Sequence, residues 1–378
     1  MKKYTTAFPF FPKKEIEWIL NETRLILDGE KMLSMGENVK KFEKEFATYC
    51  DRKFGIVTNS CTSALDIVLR SLKLKSNHEV IIPTQTFFAN LSSIVNSGAK
   101  PVFCDTDDNF LISCSDLEKK ITANTKAIIV VHFSGAISKD IFKIKELCKR
   151  HKITLIEDCA HAHGAYAVDL DNTIYKAGSI GDFGCFSFFS TKIMTTGEGG
   201  MIVCDDKDYS LLLRSLANRG LNPLAKKEEF IHYGENFRLS EFQATLGLSQ
   251  LHCLENFVTH RNQIAQIYKQ ALQDVNHLLR FQEIPSTYRH SYWRFIVFLK
   301  SHNPAIIIEK LANYGICADA PYSPLLHKQQ ILKNNGSCPQ AEALSETHIS
   351  LPMHMKISLD DAKYIATIFK NILLEESK

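Results

Sequence analysis

The chain has 378 residues, and its hydrophobic fraction of 45% and charged fraction of 23% are typical of a folded protein with one large or two smaller domains. The net charge of +3 is too small to indicate nucleic-acid binding, and no apolar run is long enough to cross a membrane. The eleven cysteines show no CxxC spacing, and lysines and prolines interrupt the first fourteen residues. We therefore expect a cytoplasmic protein with reduced thiols and no secretory signal.

Helical and strand patterns alternate in the first half of the chain. Two helical patterns, residues 13–28 and 37–50, come first, with apolar residues near helical spacing. Short apolar strands follow, with helical patterns between them. The predicted strands are residues 54–57, 80–82, 101–104, 127–131 and 154–156, and the predicted helices between them include 64–74 and 142–151. This alternation predicts an α/β layer built on a mostly parallel sheet.

The pattern changes near residue 260. A long helix is predicted over residues 240–257, a strand over 292–299, and a final helix after a capping box that begins at Ser358. We therefore expect a large domain of residues 1–255 and a smaller C-terminal α+β domain of residues 256–378.

Polar, charged and aromatic side chains follow five of the strands. Ligands bind an open parallel sheet beyond the carboxyl ends of its strands, so these side chains should meet at one edge. The residues concerned include Thr62, Ser63, Phe87, Asp158, His161 and, after an apolar strand that ends near residue 189, Lys192. Lys192 is the most informative of them, because a lysine between such a strand and a glycine-rich turn can bind a carbonyl group covalently.

Each of these residues also has an ordinary explanation when it is taken alone. Hydroxyl residues at a helix start usually cap the helix, a phenylalanine usually belongs to a core, and most lysines are solvated. The pair His161 and His163 is a weak metal signal without further ligands, so we assign no metal. We interpret Cys61 as a small buried hydrophobic residue, because no histidine partner can be assigned that would make it a nucleophile.

Taken together, the same residues match the needs of pyridoxal 5′-phosphate (PLP). A lysine binds the aldehyde of this cofactor, and a carboxylate keeps its pyridine nitrogen protonated. An aromatic ring stacks on the pyridine, and a helix start with hydroxyl side chains holds the phosphate. The sequence therefore predicts a PLP enzyme, in which Lys192 binds the cofactor covalently and Asp158 pairs with its pyridine nitrogen.

Several sequence blocks resemble the DegT/DnrJ/EryC1/StrS sugar aminotransferases, in the same order and over essentially the whole chain. The clearest blocks are residues 58–65, 79–87, 98–105, 156–164, 184–200 and 234–241. The resemblance implies the PLP-dependent transferase fold type I, with a mostly parallel seven-stranded sheet between helices and a smaller C-terminal α+β domain. Two places depart from the family pattern, which are Cys61, where glycine or alanine is common, and residues 131–136.

The resemblance also implies residue roles. Lys192, Asp158 and His161 are the implied catalytic residues, with His161 near the phenolic oxygen of the cofactor. The implied cofactor-binding residues are Lys192, Asp158, His161, Phe87, Cys61, Thr62, Ser63, Ser187 and Asn236. Asn236 would reach the phosphate from the neighbouring subunit, which implies a homodimer with active sites at the subunit interface.

The implied substrates are L-glutamate, which leaves as 2-oxoglutarate, and a keto-sugar. The default keto-sugar is a nucleotide-linked 4-keto-6-deoxy hexose, aminated for a surface polysaccharide or glycoconjugate, with pyridoxamine phosphate (PMP) carrying the amino group. Arg219, Arg238 and Arg294 are candidates to bind a carboxylate or diphosphate. Tyr322 and His327 are candidates to line the sugar pocket. We expect neither a nucleic-acid nor a membrane partner.

Two other functions remain open at this point. One is a PLP-dependent sugar dehydratase or lyase of the same fold, and the other is a non-catalytic PLP-binding regulator. Lys192 favours transamination, because relatives that dehydrate sugars carry histidine in its place. Lys192 and Asp158 together argue against an inactive regulator.

Overall fold

The computed structural model describes residues 2–332 and 336–377. These residues form twelve strands, which are β1 (Phe54–Thr58), β2 (Glu79–Pro83), β3 (Lys100–Cys104), β4 (Thr125–Val131), β5 (Thr154–Asp158), β6 (Tyr166–Val168), β7 (Ile174–Lys176), β8 (Phe183–Ser187), β9 (Gly200–Cys204), β10 (Leu279–Phe281), β11 (Phe295–Leu299) and β12 (His348–Leu351).

Seven of these strands form the main sheet, in the order β1-β9-β8-β5-β4-β2-β3. The strands from β8 to β3 run parallel, whereas β9 is antiparallel to both of its neighbours, β1 and β8. The carboxyl ends of β1, β2, β4, β5 and β8 therefore lie along one edge of the sheet, beside the beginning of β9. This arrangement confirms the predicted α/β layer with a mostly parallel sheet.

The main sheet is covered on both faces, as the apolar sequences of its strands require. In β4, Ile128 and Val130 belong to one hydrophobic core, whereas Ala127, Ile129 and Val131 belong to the core on the other face. Side chains alternate between the two faces of a strand, so each core must be closed by its own layer of helices.

The described residues also form eleven α-helices, which are α1 (Lys13–Leu27), α2 (Glu37–Tyr49), α3 (Cys61–Ser71), α4 (Phe88–Asn96), α5 (Cys114–Lys120), α6 (Ile141–His151), α7 (Lys207–Ala217), α8 (Glu241–Ala271), α9 (Pro304–Ala312), α10 (Pro339–Ser345) and α11 (Leu359–Glu376). The longest, α8, packs against α1, α2 and α11 and so joins the N-terminal and C-terminal parts of the fold. In the part of the chain that the structure covers, no helix is both long enough and apolar enough to span a membrane.

A second sheet lies in the C-terminal part of the chain. It consists of β10, β11 and β12 in antiparallel order, and a separate hydrophobic core that includes Tyr268, Phe295, Leu311 and Phe369 packs against it. The division of the chain into domains between residues 255 and 256 stays a prediction, and α8 runs through that position without a break.

Two predicted elements in the C-terminal half differ from the observed ones. The helix predicted to end at residue 257 continues to Ala271, because Ile264 and Tyr268 on its second half fill the core beside the small sheet. The strand predicted from residue 292 begins only at Phe295. Tyr292 has a φ of 49°, a left-handed conformation that a regular strand cannot include.

Candidate active site

A cavity of about 420 Å³ lies at the edge of the main sheet where β5 and β8 end, and this volume suits a cofactor or small ligand. The predicted site residues that line it are Cys61, Thr62, Phe87, Asp158, His161, Ser187, Lys192 and Tyr322. These residues come from α3, from the start of α4, from the ends of β5 and β8 and from the C-terminal part. The sheet topology thus brings together side chains that are far apart in the sequence.

The beginning of α3 forms one wall of the cavity. Ser60 caps the helix by accepting a hydrogen bond from the amide of Ser63 at 3.1 Å, and the hydroxyl of Ser63 donates to Asn59 Oδ1 at 2.6 Å. Thr62 is exposed, whereas Ser63 is buried and does not line the cavity. A Cβ atom on Gly200 would lie 2.4 Å from the Ser60 carbonyl group, so glycine lets β9 pass this helix start closely. The free amides there form a site for an anion.

Asp158 ends β5 and presents a carboxylate to the cavity. Asn90 Nδ2 donates to its Oδ2 at 2.7 Å, and the amide of Ala160 donates to its Oδ1 at 3.0 Å. Each carboxylate oxygen is thus oriented by one donor and can accept a further hydrogen bond. The sequence analysis missed Asn90, although it lies only three residues after Phe87, the last residue of a family-like block.

Lys192 lies in the loop between β8 and β9 and lines the cavity. Burial lowers the pKa of its amine to about 8, while the carboxylate of Asp158 opposes this change by favouring the charged form. Cys61 is its neighbour, and burial raises the pKa of that thiol well above its ordinary value. The thiol therefore stays protonated, which makes it a poor nucleophile.

His161 contacts two other aromatic side chains, Trp293 and Tyr322. Its ring is parallel to the indole of Trp293, with centroids 3.8 Å apart, and its Nε2 forms a hydrogen bond of 2.7 Å with the hydroxyl of Tyr322. Burial lowers the pKa of His161 well below its ordinary value, so the ring is neutral. The sequence analysis missed Trp293, because an apolar residue just before a strand is usually part of a core.

These residues fit PLP. Within the described residues, His161 Nδ1 and Asn90 Oδ1 are buried without a hydrogen-bond partner, so the cavity has unused polar atoms for a bound group. The helix start of α3 suits the phosphate, the carboxylate of Asp158 suits a protonated pyridine nitrogen, and the amine of Lys192 suits an aldehyde. More than half of the surface of Phe87 is exposed, so its ring is free to cover another ring.

Three of the predicted residues lie away from the cavity in this chain. Arg219 is exposed, with Nη2 3.6 Å from the carboxylate of Glu228. Arg238 Nη1 donates to Asn218 Oδ1 at 2.8 Å, and the side chain lines a different cavity. Asn236 is also exposed, and its backbone forms an isolated antiparallel β-bridge with Asn218. It does not line the cavity of its own chain.

Two others, His327 and Arg294, are buried and do not line the cavity. The ring of His327 is held by Thr84 and by Glu342, whose Oε1 is 2.9 Å from Nε2, so it is not available to a sugar. Arg294 donates from Nη1 to the carbonyl of Thr6 at 2.6 Å, and its guanidinium lies 4.7 Å from the ring centroid of Trp293.

We expect Lys192 to react with trinitrobenzenesulfonate at lower pH than other lysines when the protein is free of cofactor. Only a deprotonated amine is nucleophilic, and burial brings half-deprotonation of Lys192 to about pH 8. Peptide mass spectrometry over a pH series measures the labelling, with the exposed Lys149 as the reference in each sample. A midpoint for Lys192 no lower than that of Lys149 would contradict the described environment.

Comparisons with known proteins identify the family of this chain. The family model of the DegT/DnrJ/EryC1/StrS aminotransferase family matches residues 13–370. The chain is 31% identical over 383 residues to the GDP-perosamine synthase of Caulobacter vibrioides, covering 99% of each chain. It is 34% identical over 362 residues to the UDP-N-acetyl-3-dehydro-alpha-D-glucosamine 3-aminotransferase of Acidithiobacillus ferrooxidans, covering 94% of each.

The fold of this chain also matches solved structures of aminotransferases. The solved structure of Helicobacter pylori PseC, an aminotransferase involved in the biosynthesis of pseudoaminic acid, matches with a TM-score of 0.91 and 27% identity, over 99% of this chain and 100% of that one. Other matching structures are the PLP form of a putative sugar aminotransferase from Streptococcus pneumoniae and a Bacillus subtilis protein with bound PMP. Both predictions, PLP as the cofactor and fold type I, are confirmed. The chain belongs to the DegT/DnrJ/EryC1/StrS family and is a PLP-dependent sugar aminotransferase.

Proposed function

We propose that this aminotransferase moves the amino group of L-glutamate to a nucleotide-linked keto-sugar, by default a 4-keto-6-deoxy hexose, to make an amino-sugar for a surface polysaccharide or glycoconjugate. The observation that carries the proposal is that one cavity contains both the amine of Lys192 and the carboxylate of Asp158. Relatives named for GDP-linked and UDP-linked sugars support a nucleotide-linked substrate. The second of these names specifies a 3-keto sugar, which is therefore the second candidate.

When bound, PLP supplies an electron sink for the carbon that loses a proton. Asp158 serves this chemistry by holding a proton at the pyridine nitrogen, with its two oxygens oriented by Asn90 and by the amide of Ala160. The amides at the start of α3, with the hydroxyls of Thr62 and Ser187, are suited to hold the phosphate.

Lys192 is the residue that moves the proton. A pKa of about 8 leaves a useful fraction of its amine neutral near pH 7 to 8, so Nζ can accept the α-proton of the amino donor and later return it. His161 is neutral, and its unpartnered Nδ1 is suited to hydrogen-bond the phenolic oxygen of the cofactor. Phe87 is suited to stack on the cofactor ring and shield it from water.

The remaining roles concern assembly and location. We propose a homodimer in which Asn236 of one subunit reaches the phosphate site of the other, because Asn236 is exposed and does not line the cavity of its own chain. We also propose that the protein works in the cytoplasm. All eleven cysteines are unpaired thiols, which supports a reducing compartment.

The variant Lys192→Ala should lose amino transfer by roughly 10³-fold or more, because it lacks the group that moves the proton. The readout is ¹⁵N from labelled glutamate in the sugar product, over a panel of GDP-, UDP- and dTDP-linked 4-keto and 3-keto sugars. Release of 2-oxoglutarate by glutamate alone gives a second readout that does not depend on the sugar. Lys149→Ala is the matched control and should behave as wild type, whereas undiminished transfer by Lys192→Ala would refute the proposal.

Mixed dimers test the proposed role of Asn236. Asn236→Asp should abolish activity, because its charge would repel a phosphate. Refolding an equal mixture of Lys192→Ala and Asn236→Asp subunits should then restore about a quarter of wild-type activity, since half of the dimers contain one intact site of two. A mixture as inactive as either parent variant would show that both residues act within one subunit.

A further inference from the structure

Trp293 contacts the candidate site at three points. The indole is 5% exposed and lies on the cavity wall, two residues before β11. Its Nε1–H donates to the carbonyl of Thr191 at 2.9 Å, which ties the ring to the residue that precedes Lys192. Nζ of Lys192 lies 4.4 Å from the ring centroid, and the ring of His161 is parallel to the indole, with an interplanar angle of 7°.

The indole and the cavity act on Lys192 in opposite directions. The negative face of an indole attracts an ammonium group more strongly than a neutral amine, whereas burial disfavours the charge. The protonated amine is therefore held at the ring, and the neutral amine is freer to move towards a substrate. The other titratable groups that face this amine or share its cavity are Cys61 on α3, Asp158, His161 and His163 at the end of β5, Glu198 before β9, Arg294 before β11, and Tyr322.

We propose that Trp293 is a positioning residue for the proton transfer. It holds the protonated amine of Lys192 in one place between removal and return of the proton, and it fixes the plane of the His161 ring. The inference rests on the proposed function, because it concerns the proton that Lys192 carries in that function.

Ordinary core packing is the competing explanation. Trp293 also belongs to the core of the main sheet, so removing the ring lowers stability whatever its other role. A decisive test must therefore change the charge distribution of the ring and leave its shape almost unchanged.

Fluorinated tryptophan provides such a test, because the chain has only two tryptophans, Trp18 and Trp293. Trp18 lies on α1, where it packs against His252, and it does not line the cavity. In a Trp18→Phe background, mono-, di- and trifluorotryptophan weaken the negative face of the remaining indole in steps. All of these proteins can be compared with the unfluorinated Trp18→Phe protein.

In cofactor-free protein, the pH of half-maximal labelling of Lys192 should fall with each added fluorine, by about one unit in total, because the ammonium form loses its attraction to the ring. With PLP bound, the maximal rate of 2-oxoglutarate release from glutamate should fall about tenfold across the series. The glutamate concentration for half-saturation should change by less than about twofold, since the ring acts on the proton transfer and not on binding.

A labelling midpoint that stays constant over the series, in proteins with equal unfolding temperatures, would overturn the inference. The labelling needs no turnover, so this failure is distinct from failure of the proposed function, which would appear as no release of 2-oxoglutarate by the unfluorinated protein. A second comparison uses Trp293→Phe, which keeps an aromatic face, and Trp293→Met, which keeps only apolar bulk. Trp293→Phe should retain more of the rate, and an equal loss in both would overturn the inference in favour of packing alone.

Discussion

The site depends on one constraint, which is that Lys192 carries its amine into a cavity where part of its hydration is lost. Loss of hydration disfavours the ammonium form, and Arg294 acts in the same direction. The carboxylate of Asp158 acts against both, so the pKa of Lys192 is lowered only to about 8. An amine with this balance can hold or release a proton near neutral pH, which an ordinary surface lysine does far less readily.

The reversed strand β9 makes this placement possible. Because β9 is antiparallel to β8, the chain between them must turn back at the edge of the sheet where the parallel strands end. Two backbone hydrogen bonds close the turn, from Phe188 N to Gly199 O at 2.8 Å and from Thr196 N to Phe188 O at 2.9 Å. Lys192 lies inside it, and Gly200 then passes the start of α3. The same turn thus positions the amine and borders the anion site.

The sequence predicted those parts of the molecule that depend on local pattern. Apolar strands such as residues 127–131 and the order of strands and helices indicated the α/β layer, and the residues after the strand ends indicated most of the cavity. Contacts between distant segments were not predictable in the same way. In the sequence Trp293 resembles an ordinary core residue, and only the structure shows that its ring is parallel to that of His161. The sequence likewise suggested His327 as a sugar ligand, whereas the structure shows its ring hydrogen-bonded to Glu342.

Reduction of the PLP-loaded protein with borohydride tests the central assignment most directly. Borohydride fixes PLP permanently to the amine that binds its aldehyde, and peptide mass spectrometry then identifies that residue. If Lys192 binds the cofactor, one phosphopyridoxyl group per chain should be found, on the peptide that contains Lys192. Modification of a different lysine, or no modification in a protein that binds PLP tightly, would contradict the assignment.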